Sequence, residues 1–477
     1  MLKRHYCLML LLAVVQTGVA QKNKPDVLKS IDSKYEQYAR VAHQIWSFAE
    51  VGFQETKSAT LLQETLAQAG FSIEKGVAGM PTAFTATYGS GKPVIAILGE
   101  FDALPGVSQD AVPELKAVEG RPAGHACGHH LFGTASAAAA IGVKEWLIAN
   151  KKSGTIRFYG TPAEEGGSGK VYMVREGLFK DVDVAIHWHP SPVNNASTGG
   201  TLANKSGKFR FYGVASHAAA SPERGRSALD AVEAMNNMVN MLREHVPQET
   251  RIHYVITRGG EAPNVVPAFA EVYYYVRHPR SEEVKSTWSR IEKAAQGAAM
   301  GTETRVEVEV TGGVYNMVPN EVLGKVMDTN LRLVGGYTYT AEERAFAEQI
   351  QKSFTGSVPK LESTNEIMPF TIREGGSGGS TDVADISWVV PTVGLATATW
   401  VPGTAAHSWQ AVAAGGTSIG HKGMMVAAKT MAGAAIDFFT NQAVITEAWN
   451  ELKRRRGENF QYEALLGNRP PALDYRK

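Results

Sequence analysis

The chain has 477 residues, 44% of them hydrophobic and 20% charged, which is enough apolar material for a large core and too long for one average domain. Its formal net charge is +1, and the body of the sequence holds no long basic run. These features exclude the electrostatic footprint of a protein that binds nucleic acid or an acidic membrane surface. The composition therefore predicts a two-domain globular protein whose partner is a small molecule.

Residues 1–20 have the three-part pattern of a secretory signal peptide. Basic Lys3 and Arg4 precede an apolar stretch at 6–15, and small residues lead to Ala20. We expect cleavage after Ala20 and export to the periplasm or the extracellular space. An uncleaved anchor is the alternative, but the apolar stretch is short for a bilayer core of about 30 Å. No later stretch reaches about 18 uninterrupted apolar residues, so we expect no membrane span in the mature chain.

The sequence contains two cysteines, and Cys7 lies in the predicted signal peptide. Cys127 would then be the one thiol of the mature chain and could form no internal disulfide. A single thiol in an exported protein is either a small buried apolar residue or a group with a chemical role.

The first part of the chain alternates helices and strands. Apolar positions recur at helical spacing between residues 25 and 70, which predicts two helices. Short β-rich runs follow at 82–88 and 94–98, then an alanine-rich helix at 134–147 and a strand at 155–160. This alternation favours an α/β domain built on a largely parallel sheet.

The pattern changes between residues 205 and 314, where strand, long helix, two strands, helix and strand follow one another. It predicts a compact α+β domain inserted into a catalytic domain whose two parts are 21–204 and 315–440. The final residues, 441–477, are polar, contain the basic run 453–456 and lack clear periodicity after Trp449. We expect an extended surface tail there rather than a basic binding patch.

The densest cluster of chemically active side chains is Gly-His-Ala-Cys-Gly-His-His at 124–130, just before the alanine-rich helix. Cys127 and His129 would point about 200° apart on a regular helix, but in a loop entering the helix they can converge on one metal ion. A core cysteine beside surface histidines is the alternative. This motif by itself does not separate the two interpretations.

Adjacent acidic residues, Glu164 and Glu165, follow the strand at 155–160, and strand ends are a usual place for active sites in open sheets. Because adjacent carboxylates diverge, one can bind a metal ion while the other takes a proton from water. A solvated acidic loop is the alternative, although flanking Pro162 and Gly166 indicate a constrained backbone. With His187, His189 and His407, the chain offers enough soft and borderline ligands for a metal centre.

Taken in order, these motifs resemble the dinuclear-metal amidohydrolase branch of the aminoacylase and carboxypeptidase family. Within it the aminobenzoyl-glutamate hydrolases are most similar, followed by hippurate hydrolases and indole-acetyl-amino-acid hydrolases. The match covers nearly the whole mature chain. Its motifs are GEFDALP at 99–105, HACGH at 125–129, EE at 164–165, WH at 188–189, SHAA at 216–219, PNVVP at 263–267 and His407. The resemblance implies an α/β, metal-dependent exopeptidase-like catalytic domain with an inserted α+β dimerisation (lid) domain.

The resemblance also implies two divalent metal ions, zinc first, with manganese or cobalt as alternatives. Cys127 would bridge the two ions, and the ligand sets would be completed by His129, Glu165, His189 and His407. Glu164 would be the general base. Asp102 stands where an acidic residue orients or supports the metal site in relatives.

In relatives the inserted domain forms the dimer and delivers a polar residue to the substrate of the partner subunit. The resemblance implies a dimer, which we expect to be a homodimer, with pairing to a homologous chain as the alternative. His217 would stabilise the oxyanion across the interface, and Asn264 would contact the substrate. The glycine-rich run 374–382, with Gly378 and Ser380, resembles the loop that cradles the substrate carboxylate.

Four histidines need separate comment. His130 stands where many relatives have Asp, which implies that a carboxylate supporting the ligands in those relatives is missing here. His187 and His189 compete for one ligand position, and the Trp-His spacing favours His189. His421 is close in sequence to His407, but it enters a helix and is better suited to a packing or substrate-loop role.

The resulting functional prediction is metal-dependent hydrolysis of the amide bond of an N-acyl amino acid, such as aminobenzoyl-glutamate or a similar aromatic acyl-amino acid. A dipeptidase or carboxypeptidase of the same family is one alternative. A non-catalytic envelope binding protein with this fold is the other, and the presence of Glu164 argues against it.

Overall fold

The computed structural model describes residues 24–376 and 378–476. The predicted signal peptide and Cys7 lie outside this range. The catalytic part is built on a six-stranded sheet, the catalytic sheet. Its strands lie in the spatial order Ser72–Lys75, Phe84–Ser90, Gly154–Gly160, Val94–Gly99, Val184–Ile186 and Thr392–Val393.

The first two pairings across the catalytic sheet are antiparallel, and the other three are parallel. The strand Val94–Gly99 is buried along its whole length, as expected for a parallel strand covered on both faces. This sheet, flanked by helices, confirms the predicted α/β class.

Helices pack on the catalytic sheet and around its edges. They cover 24–33, Tyr35–Phe48, Thr56–Gln68, His129–Ala149, Gly169–Arg175, Glu321–Val334, Ala341–Gln351, Val383–Ser387, Trp409–Gly415, Ser418–Thr440 and Gln442–Arg456. The two longest, His129–Ala149 and Ser418–Thr440, are rich in buried alanine and glycine and lie side by side in the main core. Among the described residues, His129–Ala149 alone has the length and apolarity to cross a membrane, but 83% of its apolar window is buried within the protein.

The inserted part is a four-stranded antiparallel sheet, the inserted sheet. Its strands lie in the order Arg251–Arg258, Phe269–His278, Ala203–Tyr212 and Arg305–Val314. Helices Ala228–Leu242 and Ser281–Gly301 cover one face, and the two layers share a core of their own. The predicted inserted α+β unit is therefore confirmed.

Predicted elements near both ends of the chain differ from the structure. Residues 24–68 form three helices rather than two, because a turn at Lys34 divides the first apolar repeat. The prediction of an extended surface tail from residue 441 is wrong for Gln442–Arg456, which form a helix. Its buried residues Ile445, Ala448 and Leu452 recur at helical spacing, and the basic run in its last turn interacts favourably with the helix dipole.

Residues 457–476, which we call the C-terminal strap, follow this helix without regular secondary structure. The strap is nevertheless packed against the rest of the protein. Leu465 and Leu466 are each only 3% exposed, and Phe460 and Tyr462 join aromatic contacts with Tyr315.

Candidate metal centre

Three neighbouring strands of the catalytic sheet run parallel and end at the same edge. Parallel strands bring the residues that follow them close together, which is why such edges hold active sites. The side chains delivered in this way are Glu100 and Asp102, Glu164 and Glu165, and His187 and His189.

Cys127 and His129 reach the same place from either side of Gly128. Gly128 has a left-handed backbone (φ 75°), and a Cβ at this position would lie 2.7 Å from Pro190. This turn lets the two side chains converge although they are only two residues apart. The sequence predicts both in a loop before the helix, but the helix begins at His129 itself.

Two groups of possible metal ligands share the Cys127 thiol. Cys127, His129 and His189 form the first group, in which the Cys127 Sγ lies 3.4 Å from the His189 Nε2. Cys127, Glu165 and His407 form the second, in which the His407 Nε2 lies 3.0 Å from the Glu165 Oε1. Within each group the ligand atoms lie within 4.8 Å of one another. The structure thus brings together all five residues predicted as ligands.

Asp102 connects the two groups. Its Oδ1 accepts a hydrogen bond from the His129 Nδ1 at 2.8 Å, and its Oδ2 accepts one from the Glu165 backbone N–H at 2.9 Å. The His189 Nδ1 donates to the Pro190 carbonyl at 2.8 Å. Because the Nδ1 atoms of His129 and His189 are hydrogen-bonded, their Nε2 atoms face the centre and can bind a metal ion, which is the usual arrangement around protein-bound metals.

A buried ion network lies beside the first group. The Lys170 Nζ donates to the Glu100 carboxylate at 2.7 Å and to the Asp382 carboxylate at 2.6 Å, and all three side chains are almost completely buried. Glu100 also lies 3.1 Å from the His129 Nε2 and forms a third possible ligand group with His129 and Glu164. Burial and the charges of Glu100 and Asp382 hold the pKa of Glu164 well above its ordinary value.

Sequence reasoning gave no role to Glu100 or Lys170. Glu100 carries the same signal as Glu164, since it directly follows a buried apolar strand of the catalytic sheet. Lys170 carries no such local signal, because a lysine in a short glycine-flanked helix is normally exposed.

The donor atoms fit a metal ion. The His129 Nε2 and the Glu165 Oε1 are buried, and their near neighbours in the described part of the chain are other candidate ligand groups, Glu100 at 3.1 Å and His407 at 3.0 Å. Burial raises the pKa of the Cys127 thiol to about 12, so a thiolate there needs a nearby positive charge. One thiol, three imidazoles and a carboxylate are ligands for a borderline transition-metal ion.

Three residues around the centre have strained backbones. Ala163, Ser168 and His407 all have left-handed backbones, with φ of 55°, 57° and 60°. Non-glycine residues seldom adopt this conformation, and such outliers cluster at functional sites.

A cavity of about 540 Å³ opens onto these groups. The ligand residues and Glu164 line one end, and apolar side chains such as Phe132, Met317 and Leu395 line much of the rest. Its size suits a small acylated amino acid. Ser380 also lines the cavity, whereas Gly378 is exposed and does not.

His217 and Asn264 do not reach the centre of their own chain. Both are exposed on the inserted part, where they lie together: the Ala218 N–H donates to the Asn264 carbonyl at 3.0 Å. Neither lines the cavity. Any contribution to catalysis would require a second copy of the chain.

Two further histidines close in sequence to the ligands, His130 and His187, do not join the ligand groups. His187 lines the cavity but belongs to no ligand group. His130 is buried and bonds the Gly415 carbonyl at 2.9 Å, so it helps to seat the helix that it begins.

Comparison with known proteins places the chain in a family. Residues 200–303 match the M20 peptidase dimerisation domain. The chain is 42% identical to one of the subunits of the p-aminobenzoyl-glutamate hydrolase of Escherichia coli, over 88% of this chain and 93% of that protein. It is 29% identical to the Xaa-Arg dipeptidase of Mus musculus, over 91% and 92% of the two chains.

Among solved structures, a dinuclear metal-binding M20 peptidase from Bacillus subtilis matches with a TM-score of 0.58 and 17% identity. The match covers 86% of this chain and 99% of that one, and it shows a common fold. The chain therefore belongs to the M20 metallopeptidase family, in the amidohydrolase branch, and is a hydrolase that acts on amide bonds.

Proposed function

We propose that this protein hydrolyses the amide bond of N-acyl amino acids that carry an aromatic acyl group, with aminobenzoyl-glutamate as the first candidate. The observation that carries the proposal is the pair of ligand groups sharing Cys127 at the end of the cavity, beside Glu164. Support for the substrate comes from the 42% identical relative, whose name gives p-aminobenzoyl-glutamate as its substrate.

In this proposal, Cys127 would contribute to the binding of two divalent ions, His129 and His189 would complete one ligand set, and Glu165 and His407 would complete the other. When bound, the ions supply Lewis-acid polarisation of the substrate carbonyl and activation of water. A thiolate among imidazoles favours zinc, and manganese and cobalt are the alternatives. Asp102 orients both sites through its bonds to His129 and Glu165.

Glu164 acts as the proton carrier. It takes a proton from the attacking water and later delivers that proton to the leaving amine nitrogen. Its position supports this role, because Glu164 lines the cavity together with the ligand residues, where its carboxylate can reach both the attacking water and the leaving nitrogen. His217 of a second copy of the chain stabilises the oxyanion, and Asn264 contacts the substrate from the same side. Gly378 and Ser380 belong to the loop that we propose for the substrate carboxylate.

The test is hydrolysis of four substrates by protein stripped of metal and then reconstituted with zinc or manganese. The N-terminal pattern supports export, so a chain beginning at Gln21 is the form to assay. The substrates are aminobenzoyl-glutamate, hippurate, indole-acetyl-alanine and an unblocked Xaa-Arg dipeptide. We expect cleavage of aminobenzoyl-glutamate only after metal is restored.

Cleavage of the dipeptide alone would instead favour the second candidate, a dipeptidase, which rests on the similarity to the Xaa-Arg dipeptidase. If neither zinc nor manganese restored hydrolysis of any of the four substrates, the result would contradict the proposed activity and favour a binding protein with this fold.

We further propose that the protein is a homodimer formed along the strand Arg251–Arg258, an outer strand of the inserted sheet. Tyr254, Val255 and Ile256 are exposed there, and a row of exposed apolar side chains on an edge strand normally has a partner. The opposite edge strand, Arg305–Val314, carries charged Glu307 and Glu309, which discourage pairing.

We expect Val255→Glu to weaken the dimer by at least about 10-fold, because a two-fold interface would bury the new carboxylate twice. Sedimentation of the purified chain over a concentration series measures this change. Val308→Glu, an equivalent substitution on the opposite edge, is the matched control and should leave the dimer intact. A parent chain that sediments as a monomer would contradict the homodimer and favour pairing with a different chain, since the bacterial relative is named as one of several subunits.

A further inference from the structure

The C-terminal strap crosses both parts of the molecule. Near its start, the Phe460 ring packs on Trp388 with centroids 4.7 Å apart, and the Tyr462 hydroxyl donates to Asp385 at 2.7 Å. Farther along, the Arg469 guanidinium donates to the Val310 carbonyl of the inserted sheet. The strap is thus anchored at several points before it reaches its end.

The last part of the strap is held against the catalytic part by its own backbone. Arg175 donates to the carbonyl of Arg469 at 2.7 Å, and the Gln54 side chain donates to the Leu473 carbonyl at 2.8 Å. The polypeptide then turns, with the Tyr475 N–H donating to the Ala472 carbonyl at 3.1 Å.

The turn brings two side chains onto one backbone atom of the candidate metal centre. The Tyr475 hydroxyl and the Arg476 Nη2 each donate to the Glu165 carbonyl at 2.9 Å. Glu165 has a non-helical backbone (φ −72°, ψ 70°), and Gly166 after it is left-handed. In this irregular turn the carbonyl has no place in a regular helix ladder, and the strap supplies its donors.

The Tyr475 ring packs against a different segment of the chain, at Gly52 and Phe53. A Cβ at Gly52 would lie 2.2 Å from the Tyr475 hydroxyl oxygen, and the Phe53 ring packs edge-on against Tyr475 at 5.6 Å. Gly167 is also confined, since a Cβ there would lie 2.5 Å from the Ala163 Cβ and 3.2 Å from the same Tyr475 oxygen. Tyr475 can therefore approach the turn at Glu165 because Gly52 and Gly167, which both lie against its hydroxyl, have no side chains.

Glu165 is consequently held from two directions. Its N–H donates to Asp102, its carbonyl accepts from the strap, and its side chain faces His407. We propose that Tyr475 and Arg476 are positioning residues that hold the Glu165 carboxylate in place as a metal ligand. This inference rests on the metal centre of the proposed function. It predicts an effect on the Cys127–Glu165–His407 site and none on the Cys127–His129–His189 site.

The test measures zinc binding by the full mature chain, using zinc alone in competition with a chelator. Loss of a hydrogen-bonding partner of a metal-ligand residue typically lowers metal affinity by about 10- to 100-fold. For the double variant Tyr475→Phe with Arg476→Met, which removes both donors, we expect one of the two bound zinc ions to lose about that much affinity. The other ion should stay bound as in the parent. Arg476→Lys, which keeps a donor, should recover part of the loss.

Tyr462→Phe is the matched control, because it removes a strap hydroxyl that bonds a carboxylate outside the ligand groups. Its zinc affinities should equal those of the parent. The thermal midpoints of the metal-free variants report whether the strap merely stabilises the fold. Equal zinc loss in the control and the double variant, or two zinc sites of parental affinity in the double variant, would overturn the positioning role alone. A parent that binds no zinc would overturn the proposed metal centre as well.

Discussion

We expect Glu164→Gln to hydrolyse its substrate about 10²- to 10⁴-fold more slowly than the parent while retaining its metal ions, because the amide keeps the shape of the carboxylate but cannot carry a proton. Glu164 stands apart from the two ligand groups that share Cys127 and borders the cavity. The substitution should therefore lower kcat rather than the metal content. Steady-state kinetics at saturating zinc, with metal analysis of the same samples, measure both.

The adjacent residue provides the matched control for this experiment. Glu165→Gln makes the same chemical change one position away, but Glu165 faces His407 in a ligand group. It should lower the metal content together with the activity. A Glu164→Gln protein with the kcat of the parent would show that the proton carrier is another residue.

The sequence predicts those residues of the candidate centre that directly follow a recognisable strand. Glu164, Glu165 and His189 each come after a buried apolar strand, and parallel strands must deliver such residues to one edge. The helix that starts at His129 begins five residues before its predicted start, because glycine and histidine are weak helix formers and hide its first turn.

Apart from Glu100, which follows a buried strand, the residues that sequence reasoning missed are those with distant partners. Lys170 meets Asp382 across 212 positions, and Tyr475 meets Glu165 across 310. A sequence motif or periodicity does not indicate such a pairing, because the pairing depends on how separate elements pack against one another. The strap has the sequence of a surface tail for the same reason: its composition is polar, and its few buried residues have no regular spacing.

The largest effect on the metal centre should come from Cys127→Ala, because this thiol is the one donor shared by both ligand groups. Loss of a direct ligand should exceed the roughly 10- to 100-fold cost of losing a supporting hydrogen bond, and here it affects both ions. We expect the variant to bind zinc more than about 100-fold more weakly at both sites and to lose measurable hydrolysis. Chelator competition and metal analysis provide the measurement, with His187→Ala as the control, since His187 lines the same cavity outside the ligand groups.

Thiol labelling tests the same assignment without substrate. Cys127 is 8% exposed, so burial alone slows the reagent, and the informative quantity is the ratio of labelling rates with and without metal. A thiolate that coordinates two cations is not free to attack, so the metal-loaded protein should resist the reagent until a chelator is added. If both forms labelled at the same rate, the thiol would be an ordinary buried cysteine. The two ligand groups would then have no common donor, and the dinuclear arrangement proposed for this hydrolase would fail with it.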